Sequence, residues 1–177
     1  MKGKLIINGK ELEVEIDNTT LDAITRKCRT GYERVAHNEV HYFADTMDEH
    51  MDGVDSDSDD YGRTDDTMYE NADYYSDESV ARNNARADTL MRRLRRYAAE
   101  HGGIPNCDHW NDKELAKYTI EYIHATKILG CFMNICFQNC LSVYFLSEDA
   151  CKKAIELFYD DLLWYFTEYQ PMLYEEV

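Results

Sequence analysis

Residues 4–16 contain LIINGKELEVEI, two apolar-rich runs around Asn8-Gly9. Both positions of a two-residue hairpin turn need positive φ, which Asn and Gly tolerate, so the pattern predicts an opening β-hairpin. Over residues 20–29, Leu21, Ile24 and Cys28 fall on one side of a short predicted helix. Tyr32-Glu33-Arg34-Val35 and Val40-His41-Tyr42-Phe43 flank a polar AHNE turn and predict a second hairpin. The period then changes. Ser76-Asp77-Glu78 supplies an N-cap and negative charge for the first turn of a helix. From there to about His101, Val80, Ala87, Leu90, Met91, Leu94, Tyr97 and Ala98 share a stripe roughly 120° wide, the width of a core-facing helix. Gly102, Gly103 and Pro105 end it.

Between residues 118 and 145, YTIEYI, ILGCFM and LSVYFL are β-branched and aromatic, with breaks at Ala125-Thr126-Lys127 and Gln138-Asn139. They predict an antiparallel three-stranded unit. Ser147 caps a final helix in which Cys151, Ala154, Ile155, Phe158, Leu162, Tyr165, Phe166 and Tyr169 share a second stripe of roughly 120°, implying one continuous helix up to Pro171. The expected class is α+β, an antiparallel sheet with two long helices and an acidic loop segment. At 177 residues the chain suits one domain. Its expected parts are N-terminal β-hairpins (1–44), the acidic segment (45–78) and a helix–three strands–helix core (79–177).

Charge changes this picture. Fourteen of the 35 acidic residues lie in 45–78, opposed there by Arg63 alone, so this segment carries −13 of the net −16. A solvated loop is the plain reading of such a run. Met47, Met51, Met68, Tyr61, Tyr69, Tyr74 and Tyr75 are interleaved with the acids, however, and apolar anchors have no use in a stretch that only solubilises. The favoured expectation is a surface that binds a basic partner. In an extended chain Asp55, Asp57 and Asp59 would point one way about 6.6 Å apart, roughly half the charge density of a DNA strand. That spacing suits occupation of a groove built for phosphates. The expected contact residues are Asp48, Glu49, Asp52, Asp55, Asp57, Asp59, Asp60, Tyr61, Asp65, Asp66, Tyr69 and Glu70.

Other chemistry has weaker support. Asp55-x-Asp57-x-Asp59 begins like a calcium loop, but Asp60 stands where glycine is needed and Asp66 where a bidentate Glu is usual. Cys107, His109, Cys131, Cys136 and Cys140 lack the C-x2-C knuckles of a zinc site, and no metal or other cofactor is expected. With no secretory signal in MKGKLIING, these cysteines, Cys28 and Cys151 read mostly as free, buried thiols in a reducing cytoplasm. No apolar run approaches the roughly 18 residues of a membrane span. The six histidines are scattered and no phosphate loop, G-x-S-x-G or H-E-x-x-H occurs, so no enzyme and no small-molecule substrate are expected. The arginines of the long helix read as two flanks: Arg82, Arg86 and Arg93 on one, Arg92, Arg95 and Arg96 on the other. They are expected to cover the core and answer the acidic segment. The second flank is the candidate phosphate-contacting face, though the chain alone is not expected to hold nucleic acid.

The segments SVARNNARADTLMRRLRRYAAEHGG and VYFLSEDACKKAIELFYDDLLWYFTEY, with WND and KYTIEYIH between them, resemble a family of small proteins from phages and mobile elements of gut Firmicutes. The resemblance runs from about residue 31 to 170. In size and charge the chain is also similar to anti-CRISPR proteins directed against type II nucleases. That resemblance implies a non-enzymatic inhibitor acting in the cytoplasm of a bacterial host. Its partner would be a basic nucleic-acid-handling defence protein such as Cas9 with its guide RNA, blocked in nucleic-acid binding or cleavage. The alternative is an antitoxin-like or regulatory interaction module whose acidic loop only solubilises.

Overall fold

A computed structural model describes residues 2–7, 10–15, 29–47 and 50–174, the first two stretches as backbone. The predicted turn at Asn8-Gly9, the predicted helix up to residue 28 and the candidate contacts Asp48 and Glu49 lie outside the described residues. Strands β1 (Lys2–Ile7) and β2 (Lys10–Glu15) pair antiparallel from Lys2↔Glu15 to Ile7↔Lys10, the hairpin the opening pattern predicts. Then come β3 (Val40–Ala44), β4 (Val54–Ser58), α1 (Arg63–Glu70), α2 (Glu78–Glu100) and α3 (Cys107–Asn111). The chain continues through β5 (Lys117–Ile123), β6 (Ile128–Asn134), β7 (Tyr144–Phe145), α4 (Glu148–Leu157) and α5 (Tyr159–Thr167). The class is α+β with antiparallel sheets.

Helix α2 is the spine. The Asp77 carboxylate accepts from the amides of Ser79 and Val80 and so closes its N-terminus. Gly102 and Gly103, at φ +119° and +99°, turn the chain away at the other end. Of the predicted stripe, Val80, Ala87, Leu90, Leu94 and Ala98 are buried and Met91 and Tyr97 half-buried. Two apolar clusters share this helix. Its C-terminal half packs Leu90, Leu94 and Ala98 against Val143 and Phe145 of the β7 region, Ala150, Cys151 and Ala154 of α4, and Leu162 of α5. Its first turn packs Val80 and Ala81 with Tyr75, beside Tyr32, Tyr42, Val54 and Leu173.

The three-stranded unit forms in the order β6-β5-β7, so β7 crosses over to pair with β5 through Tyr118↔Phe145 and Thr119↔Tyr144. Three expectations need correction. Residues 32–35 form no strand; β3 pairs with β4 instead, from Val40↔Ser58 to Ala44↔Val54. The carboxylate of Glu33 holds 30–33 in a turn by accepting from the Thr30 amide (2.6 Å), the Thr30 hydroxyl (2.9 Å) and the Gly31 amide (3.0 Å). The acidic segment is not a loop, since it supplies β4 and α1. The C-terminal helix is not continuous either. It breaks at Phe158, whose φ of −111° and ψ of 22° turn α5 away from α4 while both keep their apolar residues on the core.

Leu90 is fully buried at the centre of the larger cluster. Leu90→Ala removes most of that side chain and leaves a cavity, so it is expected to lower unfolding free energy by about 3 kcal/mol in urea titrations.

Candidate acidic and aromatic docking face

The acidic segment folds around one guanidinium. Arg34 Nε donates to Asp59 Oδ2 at 2.9 Å and its Nη2 to Oδ1 at 3.1 Å, a bidentate pair, while Nη1 reaches Asp66 Oδ1 at 2.6 Å. Asp59 is fully buried and also accepts from the Tyr74 hydroxyl (2.6 Å) and the Tyr61 amide (2.7 Å). The Arg34 guanidinium, ahead of the opposing effect of burial, holds this carboxyl well below the usual carboxylate range. Burial, then the hydrogen bond to Asp59, pushes the Tyr74 phenol upward. Behind it the His41 ring stacks on Tyr74 at 4.3 Å, with neither ring nitrogen hydrogen-bonded.

Asp59 is therefore not a docking residue, a correction shared by Asp65. The Asp65 carboxylate is 5% exposed and accepts from the Asp60 amide (2.9 Å) and the Gly62 amide (3.3 Å) at the start of α1. Tyr74 and Tyr75 are core residues, and Met51 packs against the larger cluster, so these three are not surface anchors. Asp52 is half-buried, and its carbonyl accepts from Arg82. What remains outside is Asp55, Asp57, Asp60, Asp66 and Glu70 with the Tyr61 and Tyr69 rings, 51% and 43% exposed. Arg34 gathers both rings, its Cζ lying 4.7 Å from the Tyr61 centroid and 5.8 Å from that of Tyr69. Tyr61 holds φ +58°, a left-handed conformation that is uncommon in any residue but glycine.

Asp55 and Asp57 face one side of β4, opposite Phe43 and His41. Their carboxylates fold back onto the amides of Ser56 (2.8 Å) and Ser58 (2.7 Å). The opposite residue Tyr42 exchanges its backbone hydrogen bonds with Tyr75, so these serine amides point outward from an edge strand that the aspartates blunt. An extended strand with Asp59 tied to Arg34 is also not a calcium loop.

The arginines of α2 sort differently from the expected flanks. Arg82 pairs with Glu78 and Arg86 with Asp161 (2.9 Å), with Arg86 Cζ 4.0 Å over the Trp164 ring. Arg92, Arg93, Arg95 and Arg96 have no carboxylate within ion-pair distance among the described residues, although Asp45 of the acidic segment shares a cleft with Arg92, Arg93 and Arg96. Arg95 lines a separate hollow beside Ile104 and Trp110, whereas Arg93 joins Arg92 and Arg96 in one cleft. Arg92, Arg93 and Arg96, rather than the expected Arg92, Arg95 and Arg96, therefore lie together.

Among the described residues, no three His, Cys, Asp or Glu side chains converge as a metal site would require. Cys107, Cys136 and Cys140 are exposed rather than buried. Burial pushes the thiols of Cys131 and Cys151 up, so they stay protonated at neutral pH. Lys117 is fully buried, and its amine donates to the carbonyls of Asp112 (2.9 Å) and Ile135 (3.1 Å), a role that fixes loops. No described helix is long and apolar enough to cross a membrane. The chain matches no protein-family model, no curated protein and no solved structure. The arrangement of its own side chains carries the functional reading.

Asp59 and Glu33 generate a pH dependence. For Glu33, burial raises the pKa, but the amides and hydroxyl it accepts from outweigh burial and bring it to about 2. Both folded values lie below the unfolded ones, so both groups stabilise the fold fully above about pH 5 and lose that contribution progressively as pH falls toward 2. Urea midpoints are expected to drop across this window, and less steeply in Asp59→Asn. That substitution should itself cost about 2 kcal/mol at pH 7, the low side for a buried pair because the Arg34 side chain is 27% exposed.

Proposed function

We propose that this protein is a non-enzymatic inhibitor that docks on a basic, nucleic-acid-handling protein through the face formed by β4 and α1. One observation carries the reading: Arg34 folds the acidic segment into an ordered plate, which leaves Asp60, Asp66, Tyr61 and Tyr69 exposed around a single guanidinium. Carboxylates on such a plate steer a basic groove into encounter and pair with its Lys and Arg, while the two rings supply buried contact area. Occupation of the groove excludes phosphates from it. Within this class, a bacterial cytoplasmic nuclease of the CRISPR type, Cas9 with its guide RNA, is the partner suggested by the resemblance in size and charge to anti-CRISPR proteins. The way Asp55 and Asp57 cover the β4 edge favours a second reading, a regulatory or antitoxin-like module in which those acids only protect and solubilise.

A pull-down from a Firmicutes lysate, with and without added Cas9–guide complex, separates the readings. The proposed role requires recovery of a basic nucleic-acid enzyme, and recovery of none would sink it. With a partner in hand, Asp55, Asp57, Asp60 and Glu70 are changed together to their amides. Binding is expected to weaken tenfold or more and its salt dependence to flatten, with the melting temperature nearly unchanged because exposed charges contribute little to stability. Asp59 is left out of this set because its loss would destabilise the plate. Unchanged binding would return β4 to the solubilising role.

A further inference from the structure

The edge of β5 beyond β7 is open. Strand β7 is two residues long and pairs only with Tyr118 and Thr119, so among the described residues no strand lies beside 120–123 on that side. The Thr119 hydroxyl donates to the Val143 carbonyl at 3.2 Å, and there the loop that precedes β7 parts from the sheet. This loop is tied to β7 and to itself: the Asn139 amide donates to the Tyr144 hydroxyl (2.9 Å), and the Ser142 amide to the Asn139 carbonyl (3.3 Å). Between the edge and the loop lies a groove of about 320 Å³, whose apolar floor includes Met91 and Leu94 of α2 and Leu162 and Phe166 of α5. No β6 residue lines it, which places it on the β7 side of the strand. The stretches that line it, 119–124, 139–143 and 162–166 with α2, are described without a gap.

We infer that this groove takes an extended segment of a basic partner protein, added to the sheet as a strand beside residues 120–123. No backbone hydrogen bond joins residues 120–122 to the loop, so the amides and carbonyls that a strand turns toward its outer edge are left as a template for pairing. The side chains specify the guest. Ile120 packs against the larger cluster and the Tyr122 ring stacks on Phe166 of α5 (5.9 Å), so both face the helices, and guest residues beside them point onto the apolar floor. Glu121, between them, faces the other way and is exposed. It is the one carboxylate among the described residues lining the groove, so the guest residue opposite it is Lys or Arg. The guest pattern is therefore apolar–basic–apolar. Leu141 lines the groove while 79% exposed, and Phe137 of the same loop is 74% exposed, apolar surface that such a strand covers. Charge decides against a second copy of this chain, which would bring a second Glu121 and a further net −16 to the same edge. The site does not depend on the docking face, which is built on β4 and α1.

Fluorescence polarisation with the full chain tests this at about 0.15 M salt, where distant charges are screened. The probes are labelled peptides Ser-Leu-Lys-Leu-Ser and Ser-Leu-Glu-Leu-Ser, and the lysine peptide N-methylated on alternate amides in each of the two registers. The lysine peptide should bind about tenfold or more tightly than the glutamate peptide. One N-methyl register should bind about tenfold more weakly than the other, because only one of them blocks the amides that face β5. Glu121→Lys should invert the preference between the lysine and glutamate peptides, and Leu141→Asp should weaken the lysine peptide about fivefold or more. Both residues are exposed, so circular dichroism should report an intact fold in each variant. Absent binding of the lysine peptide overturns the site, and equal binding of the two N-methyl registers overturns strand addition. A lysine preference that survives Glu121→Lys overturns the assigned register. Conversion of Asp55, Asp57, Asp60 and Glu70 to amides should leave peptide affinity within about twofold, so failure of the docking face leaves these outcomes untouched.

Discussion

The ion pair between the partly exposed Arg34 and the buried Asp59 is the constraint on which the unusual half of this structure depends. A segment with fourteen acidic residues repels itself, and left to its composition it would stay extended and solvated. Arg34 comes from outside the segment, 25 residues before Asp59, and takes both oxygens of one carboxylate and one of another. The start of α1 absorbs Asp65 through backbone amides. Such a pair adds little net stability, because desolvating two charges cancels most of their attraction. Its effect is on which structure forms. Around the buried Asp59, Tyr74 donates to its carboxylate, His41 stacks on Tyr74, and β3 pairs with β4.

Helix α2 joins this plate to the rest of the molecule and arranges its charge. Asp77 and Glu78 sit at the N-terminal end, where the helix dipole favours them, whereas Arg92, Arg93, Arg95 and Arg96 lie in the C-terminal half but before the last turn, which carries no basic residue. The same helix contributes Val80 to the small cluster and Leu90 and Leu94 to the large one, so plate and sheet cannot shift independently without opening apolar contacts. Gly31 tightens this link. A Cβ there would lie 2.7 Å from Val80 Cγ2, and its φ of +90° suits glycine.

The parts of the fold legible in the sequence are those with strong periodicity or a cap. The α2 stripe, the Asp77 and Ser147 caps, the opening hairpin and the three runs of β5–β7 all come from local patterns that tertiary structure had no reason to override. The strand Val54–Ser58 was hidden because VDSDS has polar residues on both faces, with one valine to mark an inside. The break at Phe158 was hidden for the opposite reason: the apolar stripe runs straight through it, and only the backbone dihedrals of one residue change. Within the candidate site, Asp55 and Asp59 look identical in sequence. What separates them is a guanidinium brought in by the fold. Tyr61 and Tyr74 likewise differ only in which of them the Asp59 network draws inside, and the sorting of Arg93 and Arg95 depends on which stretch of chain covers α2.

Under the proposed docking role, the carboxylates and the rings do different work. Exposed charges at physiological salt act over about 8 Å, which speeds encounter with a basic groove but gives modest residence once the partners touch. Residence has to come from desolvated contact, and on this face Tyr61 and Tyr69 are the groups that can provide it. Both rings lean on Arg34, which Asp59 holds in place, so the buried pair sets the geometry of the very surface from which Asp59 is absent. A purely electrostatic mimic of nucleic acid would not need that order. The ordered plate selects, among basic grooves, one with room for two rings about a central positive charge.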